Sequence, residues 1–239
     1  MHKLKQWYQD LNLQSKFTLV LLLIVSIPAI AIIFFFYGKA YDMVVSYTIR
    51  QEQDRSAETA PLIEESIQKV LDVSEEISSL DFYQTLFKNA LTESFTDLAD
   101  SPDAASFSRK VDQLIAGTPV TNVKIYMEVP KDSPSDINAL FDKEDLKDTF
   151  LSLDQVRGTY WYGIFRGSRV SQLFCPSFYL GTKEQKAYGD QAYITHASVI
   201  YKNGTYDAYM AVYYSGHDFQ QILSENLTLD GSVSYIMNE

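Results

Sequence analysis

The chain has 239 residues, with 20 Lys and Arg against 31 Asp and Glu, a formal net charge of −11 and 46% hydrophobic residues. An acidic balance of this size repels phosphate backbones and anionic headgroups, which argues against nucleic acid as a partner and against a face lying flat on a membrane. A single cysteine, Cys175, excludes an intrachain disulfide and any multi-thiolate metal site.

In chain order, residues 1–16 form a polar stub carrying Lys3, Lys5 and Lys16. From Phe17 to Tyr37 there is no charged residue. At about 1.5 Å per residue such a run matches the roughly 30 Å hydrocarbon thickness of a bilayer. A cleaved secretory signal has a shorter apolar stretch that ends on small residues, whereas here Ala29 and Ala31 are followed by Ile32, Ile33, Phe34, Phe35 and Phe36. An uncleaved membrane anchor over 17–37 is therefore expected, with Pro28 tolerated inside it. The lysines before the span, against Lys39 alone just after it, put the N-terminus in the cytoplasm and residues 38–239 outside. That outer part carries about 17 basic and 30 acidic residues.

Residues 38–118 read as a helical stalk followed by shorter helices, with no glycine between Gly38 and Gly117. Pro61, just ahead of Leu62, Ile63, Glu64 and Glu65, predicts a restart and hence two stalk segments. Ile63, Ile67, Val70, Ser74 and Ile77 recur at alternating steps of four and three, a heptad seam that serves either a homodimer contact or packing on the chain's own sheet. Asp81 with Gln84 predicts a capped helix to about Leu98, and Ser101 before Pro102 predicts another that ends at Gly117.

Residues 119–239 read mainly as sheet. Val123, Ile125 and Met127 alternate with Lys124, Tyr126 and Glu128, which predicts a half-buried strand ending at Pro130. Asp132 to Asn138 reads as a polar loop, and Lys143 to Leu153 as an amphipathic helix with Leu146, Phe150 and Leu153 inward. Strands are expected at Thr159–Phe165, Val170–Leu180, Ala192–Lys202 and Thr205–Tyr214, with turns at Arg166–Arg169, Gly181–Gly189 and Asn203-Gly204. Ser215 with Asp218 predicts a helix to about Asn226, and Val233–Met237 reads as a last strand. A chain that stops so soon after a strand reads as the front part of a longer protein.

No catalytic constellation is visible, so no catalytic residue is assigned and the chain is read as a non-enzyme. The histidines are His2, His196 and His217; there is no metal-binding motif, and neither metal nor cofactor is expected. Cys175 reads as a small buried hydrophobe on a strand. What stands out is the aromatic density of the second half. Most of these rings belong to a core, and a minority are candidates for lining a concave pocket. The candidate ligand-binding residues are Arg157, Trp161, Arg166, Tyr193, Thr195, His196 and Tyr213. Strand alternation over 159–165 would put Tyr160, Tyr162 and Ile164 on one face and Trp161 and Phe165 on the other.

The order of stub, span, long helix, shorter helices and a mostly antiparallel sheet resembles the extracytoplasmic Cache (PAS-like) domains of bacterial transmembrane receptors, above all the sensor histidine kinases of Gram-positive bacteria. The residues that carry the resemblance are Leu11 to Phe17 before the span, Trp161-Tyr162, Ile194 to Tyr201 with Asn203-Gly204, and Tyr209 to Tyr214 running into Phe219, Ile222 and Leu223. The resemblance implies an α+β fold and a signal-sensing input region of a two-component receptor whose kinase lies outside this chain. It also implies a small-molecule ligand or an extracytoplasmic protein partner. Amino-acid-binding members carry an arginine before a Trp-Tyr pair and an aspartate in the last long strand. Here Arg157 precedes Trp161-Tyr162 at wider spacing and Tyr213 stands near the aspartate position, so an amino-acid ligand is not expected. The alternatives are a chemoreceptor input domain, or a membrane-tethered structural or interaction protein at the cell surface.

Overall fold

The computed structural model describes residues 12–129, 135–202 and 204–225. The chain divides into two compact units, 1–58 and 59–239. Helix α1, Leu13–Ser78, opens with Asn12 Oδ1 accepting from Ser15 N at 2.8 Å. Among the described residues it is the one helix long and apolar enough to cross a membrane, and the side chains of its apolar run are exposed. The expected break at Pro61 does not occur: the helix is continuous from Leu13 to Ser78. Pro61 removes one backbone donor, but with no glycine nearby the good helix formers on either side keep the helical conformation.

In the second unit Val70, Val73, Ser74 and Ile77 of α1 are buried. Helix α2 covers Asp81–Phe87, and its N-cap is Leu80, without the side-chain cap expected from Asp81. The predicted continuation to Leu98 is interrupted because Leu91 N donates to Ile200 O at 2.9 Å. Ser94 then caps α3, Phe95–Ala99, by accepting from Asp97 N, and Ser101 caps α4, Pro102–Ile115, by accepting from Ala104 N as its Ser-Pro signal predicts. The chain leaves α4 at Ala116, φ −60° and ψ 123°, and turns through Gly117, at φ 77°, with Thr118 N donating to Ile115 O at 3.1 Å.

The unit is α+β, with a five-stranded sheet in the order β2-β1-β5-β4-β3. The strands are β1 Val120–Met127, β2 Phe150–Ser152, β3 Gln172–Cys175, β4 Gln191–Tyr201 and β5 Gly204–Tyr214. β1 with β5, β5 with β4 and β4 with β3 are antiparallel, but β2 runs parallel to β1, so the sheet is mixed and not mostly antiparallel. The cause is topological: β2 returns to β1 through a crossover that contains helix α5, Ala139–Asp142, and not through a hairpin.

Several other expectations are corrected. Thr159–Phe165 is not a strand; helix α6 covers Tyr160–Gly167, and Trp161, Tyr162 and Phe165 share its buried face. The helix expected over Lys143–Leu153 does not form: residues 143–149 are a bend and turns that follow α5, and Phe150 lies in β2. The strand over Val170–Leu180 shortens to β3 and a 3-10 turn at Ser177–Tyr179. The turn expected at Gly181–Gly189 contains helix α7, Thr182–Ala187. Helix α8 covers Gly216–Glu225. The expected strand Val233–Met237, residues 132–134 of the loop from Asp132 and the turn residue Asn203 lie outside the described residues, and Ser135–Asn138 of that loop form a 3-10 turn.

Alternation gives the sheet two apolar faces. On the first, Val123, Ile125, Met127, Tyr193, Val199, Met210 and Val212 pack against the end of α1 and against α2 to α4. On the second, Tyr126, Ile194, Tyr209, Ala211 and Tyr213 are covered by α6 and by Leu153, Val156 and Leu180.

Candidate functional site

The second face holds the polar chemistry, and it has a buried end and an open end. At the buried end Glu184, 5% exposed, reaches in from α7. Its Oε1 accepts from the Tyr213 hydroxyl at 2.5 Å and from Trp161 Nε1 at 3.3 Å, and its Oε2 accepts from Gly181 N at 2.7 Å. The Tyr126 and Tyr213 hydroxyls lie 2.8 Å apart, and burial pushes both phenols far above the ordinary tyrosine value. Lys124 lies on the same face, donating to Asp148 O, with its Nζ 4.8 Å from the centre of the Tyr188 ring; burial lowers its pKa. A carboxylate with donors on both oxygens is satisfied, so this end is a closed box filled from within.

At the open end the ring of Tyr209 is a hub. Trp161, Tyr162, Phe165 and His196 surround it with ring centres 5.6, 5.9, 5.1 and 5.1 Å away. Burial pushes its hydroxyl up to about 12. Beside it lies a groove of about 420 Å³ walled by Phe165, Arg166, Arg169, His196, Asp207 and Tyr209, with Ser168, Val170 and Ser171 at its edge. His196 Nε2 is 3.1 Å from Asp207 Oδ1. Arg166 sits beside Tyr162, which pushes the guanidinium pKa further up.

The candidate residues read from the sequence therefore separate. Trp161 and Tyr213, each 0% exposed, are bound to Glu184 in the closed box. Arg166 and His196 face the groove. Arg157 is held at the rim by Asp154 at 2.6 Å and Glu128 at 3.8 Å. Tyr193 and Thr195 lie on the opposite face, where Tyr193 donates to Gln172 Oε1 at 2.7 Å and Thr195 Oγ1 is buried without a partner. The seam on α1 turns toward its own unit: Val70, Ser74 and Ile77 are buried, and Ile63 and Ile67 pack against the first core.

Glu184, Asp207, Tyr209 and Arg169 were not legible as site residues. Two of them carried a signal. With Tyr201 opposite Gly204, the hairpin register places His196 opposite Tyr209 and Ser198 opposite Asp207. Glu184 carried none, because the helix that holds it interrupts what reads as a glycine-bounded turn.

No protein-family description, curated protein or solved structure matches the chain.

Proposed function

We propose that this chain is the extracytoplasmic signal-sensing region of a transmembrane receptor, similar to the Cache (PAS-like) input domain of a two-component sensor histidine kinase, whose kinase would be outside these residues. The observation that carries the reading is α1. A single helix contains both an apolar run of membrane-spanning length and the residues Val70, Val73, Ser74 and Ile77 that belong to the core of the α+β unit. A ligand or partner that prefers one packing of that core shifts the population of the helix it contains. The lysines before the span support a cytoplasmic N-terminus, with residues 38–239 outside. Within this reading the chain does no chemistry of its own, and the same input role would serve a chemoreceptor.

A second reading, a membrane-tethered interaction protein at the cell surface, is favoured by one observation. Tyr160 and Phe178 are 63% and 73% exposed, and their ring centres lie 4.7 and 4.5 Å from that of Tyr179, the first tilted and the second edge-on.

The test has two parts. A phosphatase that is active only outside the cytoplasm, joined after Glu239, should be active; activity of a cytoplasmic reporter instead overturns the topology. Hydrogen exchange across residues 63–77 of the membrane-inserted chain should change when cell-envelope and medium fractions are added. An unchanged exchange pattern across all fractions removes the sensing role and leaves the tethered interaction protein.

A further inference from the structure

Positive charge is scarce in this chain, yet Arg166 and Arg169 converge on one groove beside Tyr209, with His196 on its wall. Among the described residues neither of these arginines is paired with a carboxylate, whereas Arg157 nearby is neutralised by Asp154 and Glu128. The one carboxylate in the groove, Asp207, is engaged by His196 at 3.1 Å. Arg166 lies beside Tyr162. The bland alternative is that Arg166 only complements the C-terminal end of α6, where a basic residue is favourable. That role accounts for one arginine in the last turn and leaves Arg169, beyond the helix, without a task. Two guanidinium forks over an aromatic floor offer several donors in the geometry that suits carboxylate and phosphate oxygens. The volume of about 420 Å³ lies in the range of small-molecule sites, roughly 300–1,000 Å³.

We propose that this groove binds an oxyanion, a carboxylate or phosphate group, through Arg166 and Arg169, with the ring of Tyr209 as its floor. The inference rests on the sensing reading and names its ligand class. It also moves the binding site away from Trp161 and Tyr213, whose donors are already taken by Glu184.

The full chain in detergent micelles is titrated with sodium phosphate and, separately, with sodium succinate at constant ionic strength, and followed by tryptophan and tyrosine fluorescence. At least one titration should saturate. Arg166→Ala and Arg169→Ala should each weaken binding by about tenfold or more. Both side chains are exposed, so neither change threatens folding, and the exposed Arg109→Ala serves as the silent control. Tighter phosphate binding assigns a phosphate-bearing ligand, and tighter succinate binding a carboxylate. Saturation by neither probe, or an affinity that Arg169→Ala leaves unchanged, overturns the site. Saturable binding with no change in exchange over residues 63–77 keeps the site and removes the sensing role; an absent site beside a responsive helix does the reverse.

Discussion

Glu184 fixes the closed end of the second face because it is the acceptor shared by three donors: the Trp161 indole, the Tyr213 hydroxyl and the Gly181 amide. Glu184→Ala removes the acceptor of the Trp161 indole and of the Gly181 amide and leaves the Tyr213 hydroxyl only its contact with Tyr126, and an unsatisfied buried group costs about 1–3 kcal/mol. Partial relaxation brings the expected loss to about 2–4 kcal/mol in urea unfolding. Glu184→Gln, which keeps one acceptor oxygen, should lose less; equal stability of all three proteins would show that the box is dispensable. Cys175 gives a second test at this scale. It is fully buried on β3, and burial pushes its thiol up to about 12. A thiol reagent at pH 8 should therefore leave the folded protein unlabelled and react at the rate of unfolding. Rapid labelling under native conditions would contradict the burial.

Among the elements, the segment from Gly181 to Gly189 depends on a close approach at its end. A Cβ on Gly189 would lie 2.7 Å from Thr121 Oγ1 and 3.0 Å from the Tyr214 carbonyl oxygen, and the latter is backbone that cannot step aside. Gly189→Ala should destabilise by about 1–3 kcal/mol and loosen α7, seen as faster exchange over residues 182–187 and at the Thr121 end of β1. The elements also differ in how far they could be read from sequence. The β4–β5 hairpin was legible because Asn-Gly separates two alternating runs, and α4 because Ser101-Pro102 and Gly117 mark its ends. Helix α6 was not, since Tyr160-Trp161-Tyr162 favours strands on propensity, whereas its apolar residues at 161, 162 and 165 pack together only at helical spacing. The separation of Tyr193 and Thr195 from His196 was available from alternation alone. The filling of the box by Glu184 was not, because it depends on a tertiary contact between α7 and the sheet.

For the whole molecule, the aromatic core makes stability sensitive to alkali. Burial raises the pKa of Tyr83, Tyr126, Tyr209, Tyr213 and Tyr214 and of Cys175 above their ordinary values. In the unfolded chain the phenols lose protons near pH 10 and the thiol near pH 8.5. Below those values their contribution to stability is complete. Above them the unfolded state binds fewer protons than the folded one, so stability falls as pH rises toward the raised folded values. The midpoint of urea unfolding should hold steady from pH 7 to 8 and drop progressively from about pH 9 upward. A midpoint that is flat to pH 11 would mean that these groups ionise as easily in the folded protein as in the unfolded chain.

Among the described residues β1 pairs with β2 and with β5, and β5 is completed at Tyr214. During synthesis Val123, Ile125 and Met127 thus leave the ribosome long before the strand that pairs with them along most of their length. A nascent chain arrested after Tyr201 should be sensitive to protease and associate with holding chaperones, and release of residues 204–214 should end both conditions together. Protection already present at Tyr201 would place the decisive step of assembly earlier, in the helices.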